Sequence, residues 1–135
     1  MYKVQLNNFE GPIDLLLYFI RRDELNIYDI PISEITKEFI NTVEEWKKVH
    51  LHIAGDFIVM ASTLMRIKAK LLLPRPELDD DGEIMDPRTE LIQQLIEYKR
   101  FKEAADLLKN LSKKRELNFS RQLDTIISEK HLKDE

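Results

Sequence analysis

Five prolines and three glycines are the only strong conformational breaks in this chain, and the prolines fall at Pro12, Pro31, the Pro74-Arg75-Pro76 turn and Pro87. A fold of many short strands needs a turn roughly every 8–12 residues, usually built on Gly, Pro or Asn-Gly. This chain cannot supply them. It has instead long unbroken stretches with apolar residues at helical spacing, so the expectation is all-α: a small N-terminal bundle of three helices, a linker, and a long helix.

The breaks set the helix ends. Gly11-Pro12 starts the first helix, because proline's fixed φ and missing N–H suit the first helical position and Asp14 then sits where the helix dipole favours an acid. Leu15, Leu16, Leu17, Tyr18, Phe19 and Ile20 leave this helix no polar face before it ends near Arg22, so it must be the central one. Ile30-Pro31-Ile32 stops the chain again, and Ser33 is the expected cap of a second helix whose apolar side runs through Ile35, Phe39, Val43 and Trp46, with Ile40 beside them. Upstream, Val4 and Leu6 alternate with polar residues, which predicts one short strand.

The third predicted helix, Ile53 to Leu73, carries two apolar stripes. Ile53, Phe57, Met60, Leu64, Ile67 and Leu71 form one; Ala54, Ile58, Ala61, Met65, Ala69 and Leu72 form the other, roughly 100° further round the axis. Together they span about 200° of arc, where packing on a pair of neighbours needs a stripe only somewhat over 100° wide. A central helix covered entirely by its own chain would show the same pattern. The first helix already occupies that place, however, and the second is too short to cover both, so the spare stripe reads as a face for a partner helix. Lys68 lies between the stripes, able to lay its stem over apolar carbons or pair with an acid.

Glu77 to Glu83 is acidic and poor in apolar residues, which predicts a solvated linker over 77–86 and a domain boundary at about residue 76. Asp86-Pro87 then opens a fourth helix, running through Leu91, Leu95, Tyr98, Phe101, Ala105 and Leu108 to about Leu111. Beyond Lys113-Lys114-Arg115 comes a weaker amphipathic stretch, Phe119, Leu123, Ile126 and Ile127, with Ser120 as its candidate cap and a mobile end as the expectation. The domains are thus 1–76, 77–86 and 87–135.

Chemistry-bearing constellations fail one by one. Gly11, Gly55 and Gly82 are too scattered to cradle a phosphate. His50 and His52 are two apart and share no helix face, so a polar turn is favoured over a metal site. Setting Gly82 at the sixth position of a calcium loop puts Glu77, Asp79 and Asp81 at the first, third and fifth, but the twelfth falls on Arg88, where a bidentate carboxylate is required. Glu44 and Glu45 have no apolar pocket to separate their pKa values. No catalytic residue, cofactor or metal is therefore expected. Cysteine is absent, which removes disulfides and thiol chemistry and fits a reducing, cytoplasmic setting. The apolar runs fall far short of the roughly 20 residues that cross a bilayer, and the first residues lack the pattern of a secretory signal. A net charge of −4 argues against direct nucleic-acid binding, although Lys99, Arg100, Lys102, Lys109, Lys113, Lys114 and Arg115 form a basic stretch diluted by Glu97, Glu103, Asp106 and Glu116.

Several segments carry a family resemblance: Phe9-Glu10-Gly11-Pro12-Ile13-Asp14-Leu15-Leu16-Leu17, Ile27-Tyr28-Asp29-Ile30-Pro31-Ile32, and Val59-Met60-Ala61 through Ile67-Lys68 to Leu71-Leu72-Leu73-Pro74. Asp86-Pro87-Arg88, Glu90-Leu91 and Glu97-Tyr98-Lys99-Arg100-Phe101-Lys102 extend it past the linker. In these motifs the chain resembles the bacterial segregation and condensation protein A family. The resemblance implies a kleisin: a helical N-terminal domain that adds to the coiled-coil neck beside one SMC ATPase head, a middle segment that binds a dimer of segregation and condensation protein B, and a C-terminal winged helix on the other head. It implies a non-enzymatic, nucleoid-associated subunit of the condensin complex, meeting DNA only through that complex and acting in chromosome condensation and segregation during the cell cycle.

On this sequence the implied neck-binding residues are Ile58, Ala61, Met65, Lys68 and Leu72 of the third helix. The B-subunit contact is implied for Leu95, Tyr98, Phe101 and Leu108, extending over Phe119 to Ile127. Tyr18 stands where relatives are expected to carry His, and Ala69 where a small polar residue is expected. No winged helix is present in the 135 residues, so they are expected to bind one head and the B subunit without bridging two heads. The alternative from another class is a helical nucleic-acid-binding adaptor.

Overall fold

A computed structural model of the chain describes residues 6–50 and 52–133, with the side chains of Asn7, Glu129 and residues 131–133 outside the description. The fold is all-α: a 3-10 turn at Leu6–Asn8 is followed by α1 (Pro12–Arg22), α2 (Ile32–Val49), α3 (Gly55–Leu71) and α4 (Thr89–Lys133). Of the predicted N-terminal strand, Val4 lies outside the described residues and Leu6 is in the 3-10 turn. The chain forms two compact units, residues 1–98 and 99–135. The first therefore takes in the 77–86 segment and the opening turns of α4.

Helix α1 begins with Pro12 at its first position, as its sequence requires. Asp14, buried, reaches back to accept the Glu10 backbone N–H at 3.2 Å, which satisfies a donor left over at the helix start. Past the C-terminus, the Leu25 N–H bonds the Ile20 carbonyl at 2.9 Å and the Glu24 N–H bonds that of Arg21 at 3.3 Å. This is a Schellman closure, and it holds Glu24 at a φ of 52°, a region usually left to glycine. Leu15, Leu16, Leu17, Phe19 and Ile20 are all buried.

Helix α2 starts one residue before the expected cap. The Pro31 carbonyl accepts the first helical bond, from the Ile35 N–H at 3.1 Å, and Ser33 lies exposed inside the first turn without capping it. Ile35, Phe39, Val43 and Trp46 are buried as their spacing demands. Helix α3 packs chiefly on α2, and the two share an aromatic seam: the Phe57 ring lies 6.4 Å from Phe39 and meets Trp46 edge-on at 5.5 Å. Leu91 and Leu95, from the first turns of α4, complete this core.

The acidic 77–86 segment is exposed, yet it is ordered as a small hairpin. Leu78 and Ile84 form an isolated antiparallel bridge, and the Met85 N–H bonds the Glu77 carbonyl at 2.9 Å. The Asp79 carboxylate accepts the N–H groups of Asp81 and Glu83 at 3.0 and 2.8 Å, and Gly82 takes a φ of 80° to turn the chain. Helix α4 also differs from expectation: it runs unbroken to Lys133, through Ser120, which is a helical residue and no cap. No glycine or proline follows Pro87, so nothing in the sequence stops it.

One side chain fastens the α1–α2 connection to the start of α4. The Arg88 guanidinium donates to Asp29 Oδ1 at 2.9 Å, to the Ile30 carbonyl at 3.0 Å and through a two-toothed contact to the Asp86 carboxylate at 2.9 and 3.1 Å. The guanidinium beside it holds the Asp86 carboxyl below its ordinary value of 3.8. A carboxyl lowered in the folded chain contributes stability that is present above its unfolded value and is lost as pH falls through the folded one. Arg88→Ala is expected to lower unfolding free energy at neutral pH by about 1–2 kcal/mol, discounted for the partial exposure of its partners. In urea denaturation, the gap between wild type and variant should narrow as pH drops below 3.8.

Candidate protein-binding surface

Helix α3 has two unlike faces. Inward, Phe57, Met60, Leu64 and Ile67 are buried. Leu71 was placed with them by its spacing but is 44% exposed, because it is the last helical residue and the core contacts of this helix end at Ile67. Outward, Ile58, Met65 and Leu72 are 39%, 51% and 70% exposed. Ala61, assigned to that outer stripe, is half-buried and packs partly against the core, while Lys68 is half-buried between the faces. The first unit's own residues therefore leave the Ile58–Met65–Leu72 line uncovered. Val59, also exposed, widens the line on its far side; it belongs to neither stripe, so the spacing gave no sign of that.

The outer face continues onto α2, which the spacing argument did not anticipate. Thr36, Lys37 and Ile40 of α2 lie opposite Met65, Lys68 and Leu72 of α3 across an open groove of about 410 Å³. The only trace in the sequence was Ile40, set beside the buried stripe of α2. Thr36 in this groove is buried, and its hydroxyl has no hydrogen-bond partner among the described residues. A sealed hydroxyl left without a bond costs about 1–3 kcal/mol. Neither Lys37 nor Lys68 forms an ion pair among the described residues; the ion pairs of this unit use Arg22, Lys70 and Arg88.

The four residues assigned to a second contact, on α4, divide. Leu95 is a core residue, 1% exposed, because the first turns of α4 close the core of the first unit; its place in a contact surface is corrected accordingly. Tyr98 is half-buried against the same core, and its hydroxyl donates to Glu10 Oε2 at 3.1 Å. Burial, and then the Glu10 contact, push the Tyr98 phenol up to about 12, so it is a neutral donor at any physiological pH. Phe101 and Leu108 belong to the second unit and are exposed, as are Phe119, Leu123, Ile126 and Ile127. Among the described residues no helix is long and apolar enough to cross a membrane, and no cluster of His, Asp or Glu could hold a metal ion.

The family model described as "Segregation and condensation protein ScpA" matches residues 19–130. The chain belongs to this family. Curated ScpA relatives agree: segregation and condensation protein A of Oceanobacillus iheyensis is 49% identical over 111 residues, 80% of this chain and 45% of the relative. That of Brevibacillus brevis is 42% identical over 132 residues, 93% of this chain and 52% of the relative. That of Clostridium acetobutylicum is 48% identical over 117 residues, covering 86% and 45%. The chain spans about half the length of these ScpA relatives.

Two adjacent residues test the division of α3. Leu64→Ala, which empties a fully buried site, is expected to cost about 2–5 kcal/mol in urea unfolding. Met65→Ala, on the open face, should stay within about 0.5 kcal/mol of wild type.

Proposed function

We propose that this chain is a non-catalytic kleisin subunit of a bacterial SMC condensin complex, acting at the nucleoid in chromosome condensation and segregation. Membership of a family named for segregation and condensation supports the process. The observation that carries the mechanism is the uncovered apolar line of α3. Ile58, Met65 and Leu72 follow one another at seven-residue intervals, so a foreign helix laid along α3 would bury all three. That occupant is the coiled-coil neck of the SMC subunit, with Ala61 at the edge of the contact and Lys68 covering it.

The second partner is segregation and condensation protein B. With Leu95 in the core and Tyr98 held to Glu10, this contact falls on the second unit, around Phe101 and Leu108 and onward to Phe119 and Ile127. A single helix that exposes this much hydrocarbon is suited to be covered by a partner. DNA is met through the assembled complex.

The test is co-purification with an SMC head carrying its neck. Met65→Glu sets a charge into an apolar interface and is expected to weaken the complex by about 30-fold or more, with helical content unchanged by circular dichroism. Undiminished binding by this variant would remove α3 from the interface.

A further inference from the structure

We propose that the α2–α3 groove selects its partner helix by an acidic side chain, received between Lys37 and Lys68 and hydrogen-bonded by the Thr36 hydroxyl. The inference rests on the reading that the outer face of α3 docks on a neck helix, and it adds what that helix must carry. Three observations point the same way. Lys37 and Lys68 line one groove, no acidic residue lines it, and neither lysine has an ion-pair partner among the described residues. In the same groove Thr36 is buried with an unsatisfied hydroxyl, although a threonine in a helix commonly bonds the carbonyl one turn back, as Thr63 does to Val59 at 3.0 Å. The remaining lining is the polar Asn41 and the apolar Ile40, Met65, Ala69 and Leu72.

Two cations beside a partly apolar wall, with a spare hydroxyl just beneath it, complement a carboxylate flanked by aliphatic residues on an amphipathic helix. A purely apolar helix would leave both ammonium groups without a counter-charge and the hydroxyl still unpaired, so the groove favours the acidic helix over it. The Thr36 oxygen is sealed in the free chain, so meeting an arriving carboxylate takes a turn about χ1 to another staggered position.

The experiment is calorimetric titration of the full chain with the SMC head-and-neck fragment at low and high salt. The variants are Lys37→Met, Lys68→Met, Thr36→Val and Met65→Glu. Each lysine variant keeps an apolar stem and is expected to weaken binding by about fivefold to tenfold at low salt and to flatten its salt dependence. Thr36→Val should raise the thermal midpoint of the free chain, by removing the orphan hydroxyl, and at the same time weaken the complex. Those opposite signs are not expected of a merely structural threonine. Unchanged affinity and salt slope in both lysine variants, with Met65→Glu still defective, would overturn the acidic-partner proposal and leave the docking face standing. Full binding by Met65→Glu would instead overturn the docking face itself. A parallel titration with duplex DNA covers the phosphate alternative: DNA binding that is lost in the lysine variants would show the groove to be an anion site for nucleic acid and overturn the proposal.

Discussion

Helix α1 has no side that it can show to water. From Asp14 to Ile20 every residue but Tyr18 is buried, so the other helices are arranged as its wrapping. Helix α2 supplies Ile35, Phe39 and Val43, α3 supplies Leu64 and Ile67, and the opening of α4 closes the remainder with Leu91 and Leu95. Burying a large aliphatic side chain is worth about 1.5–3 kcal/mol, so a helix this greasy dominates the choice among packings. The consequence for α3 is geometric. One face is committed to covering α1 and α2, and the apolar residues on the other have nothing left in this unit to pack on.

Polar contacts then fix the register of that wrapping. Asp14 ties the helix start to Glu10, Tyr98 reaches back to Glu10 from α4, and Arg88 holds the loop before Pro31. Two of these join residues more than fifty positions apart, so they locate the first turns of α4 over the bundle while contributing little individually. They also leave α3 fixed by its neighbours on the inner side and open on the outer, which is the arrangement a docking face requires.

Much of this was legible in the chain because the breaks are few and physical. Pro12, Pro31 and Pro74 lie within three residues of the start of α1, the start of α2 and the end of α3, and the period of Ile35, Phe39, Val43 and Trp46 set the inner face of α2. That one apolar stripe of α3 is left over followed from counting apolar arc against available cover, whereas which of the two lies exposed, the line of Ile58, Met65 and Leu72, is decided by packing. Other features depend on partners that spacing does not reveal. The 77–86 hairpin is made by Asp79 accepting two backbone N–H groups, and its acidity read only as self-repulsion. Arg88 stood in the sequence merely as the wrong residue at the end of a calcium loop, whereas two of its four side-chain hydrogen bonds depend on a loop some sixty residues earlier. Leu95 carries the same periodic signal whether it faces a core or a partner, and only packing decides. The α2 side of the groove was missed because Thr36 and Lys37 are ordinary helix residues until α3 is laid beside them.

The proposed function therefore reduces to one claim, that the Ile58–Met65–Leu72 line lies against a helix of another protein. The absence of native cysteine allows this to be examined directly with single cysteines placed at positions 57, 58, 64, 65 and 72 and a neck fragment carrying cysteines along one helix. Disulfide cross-linking should occur from 58, 65 and 72, at neck positions that advance by about two helical turns from each to the next, and should fail from 57 and 64. Cross-linking that is absent from all three outer positions, in a complex shown to have formed, would contradict the account.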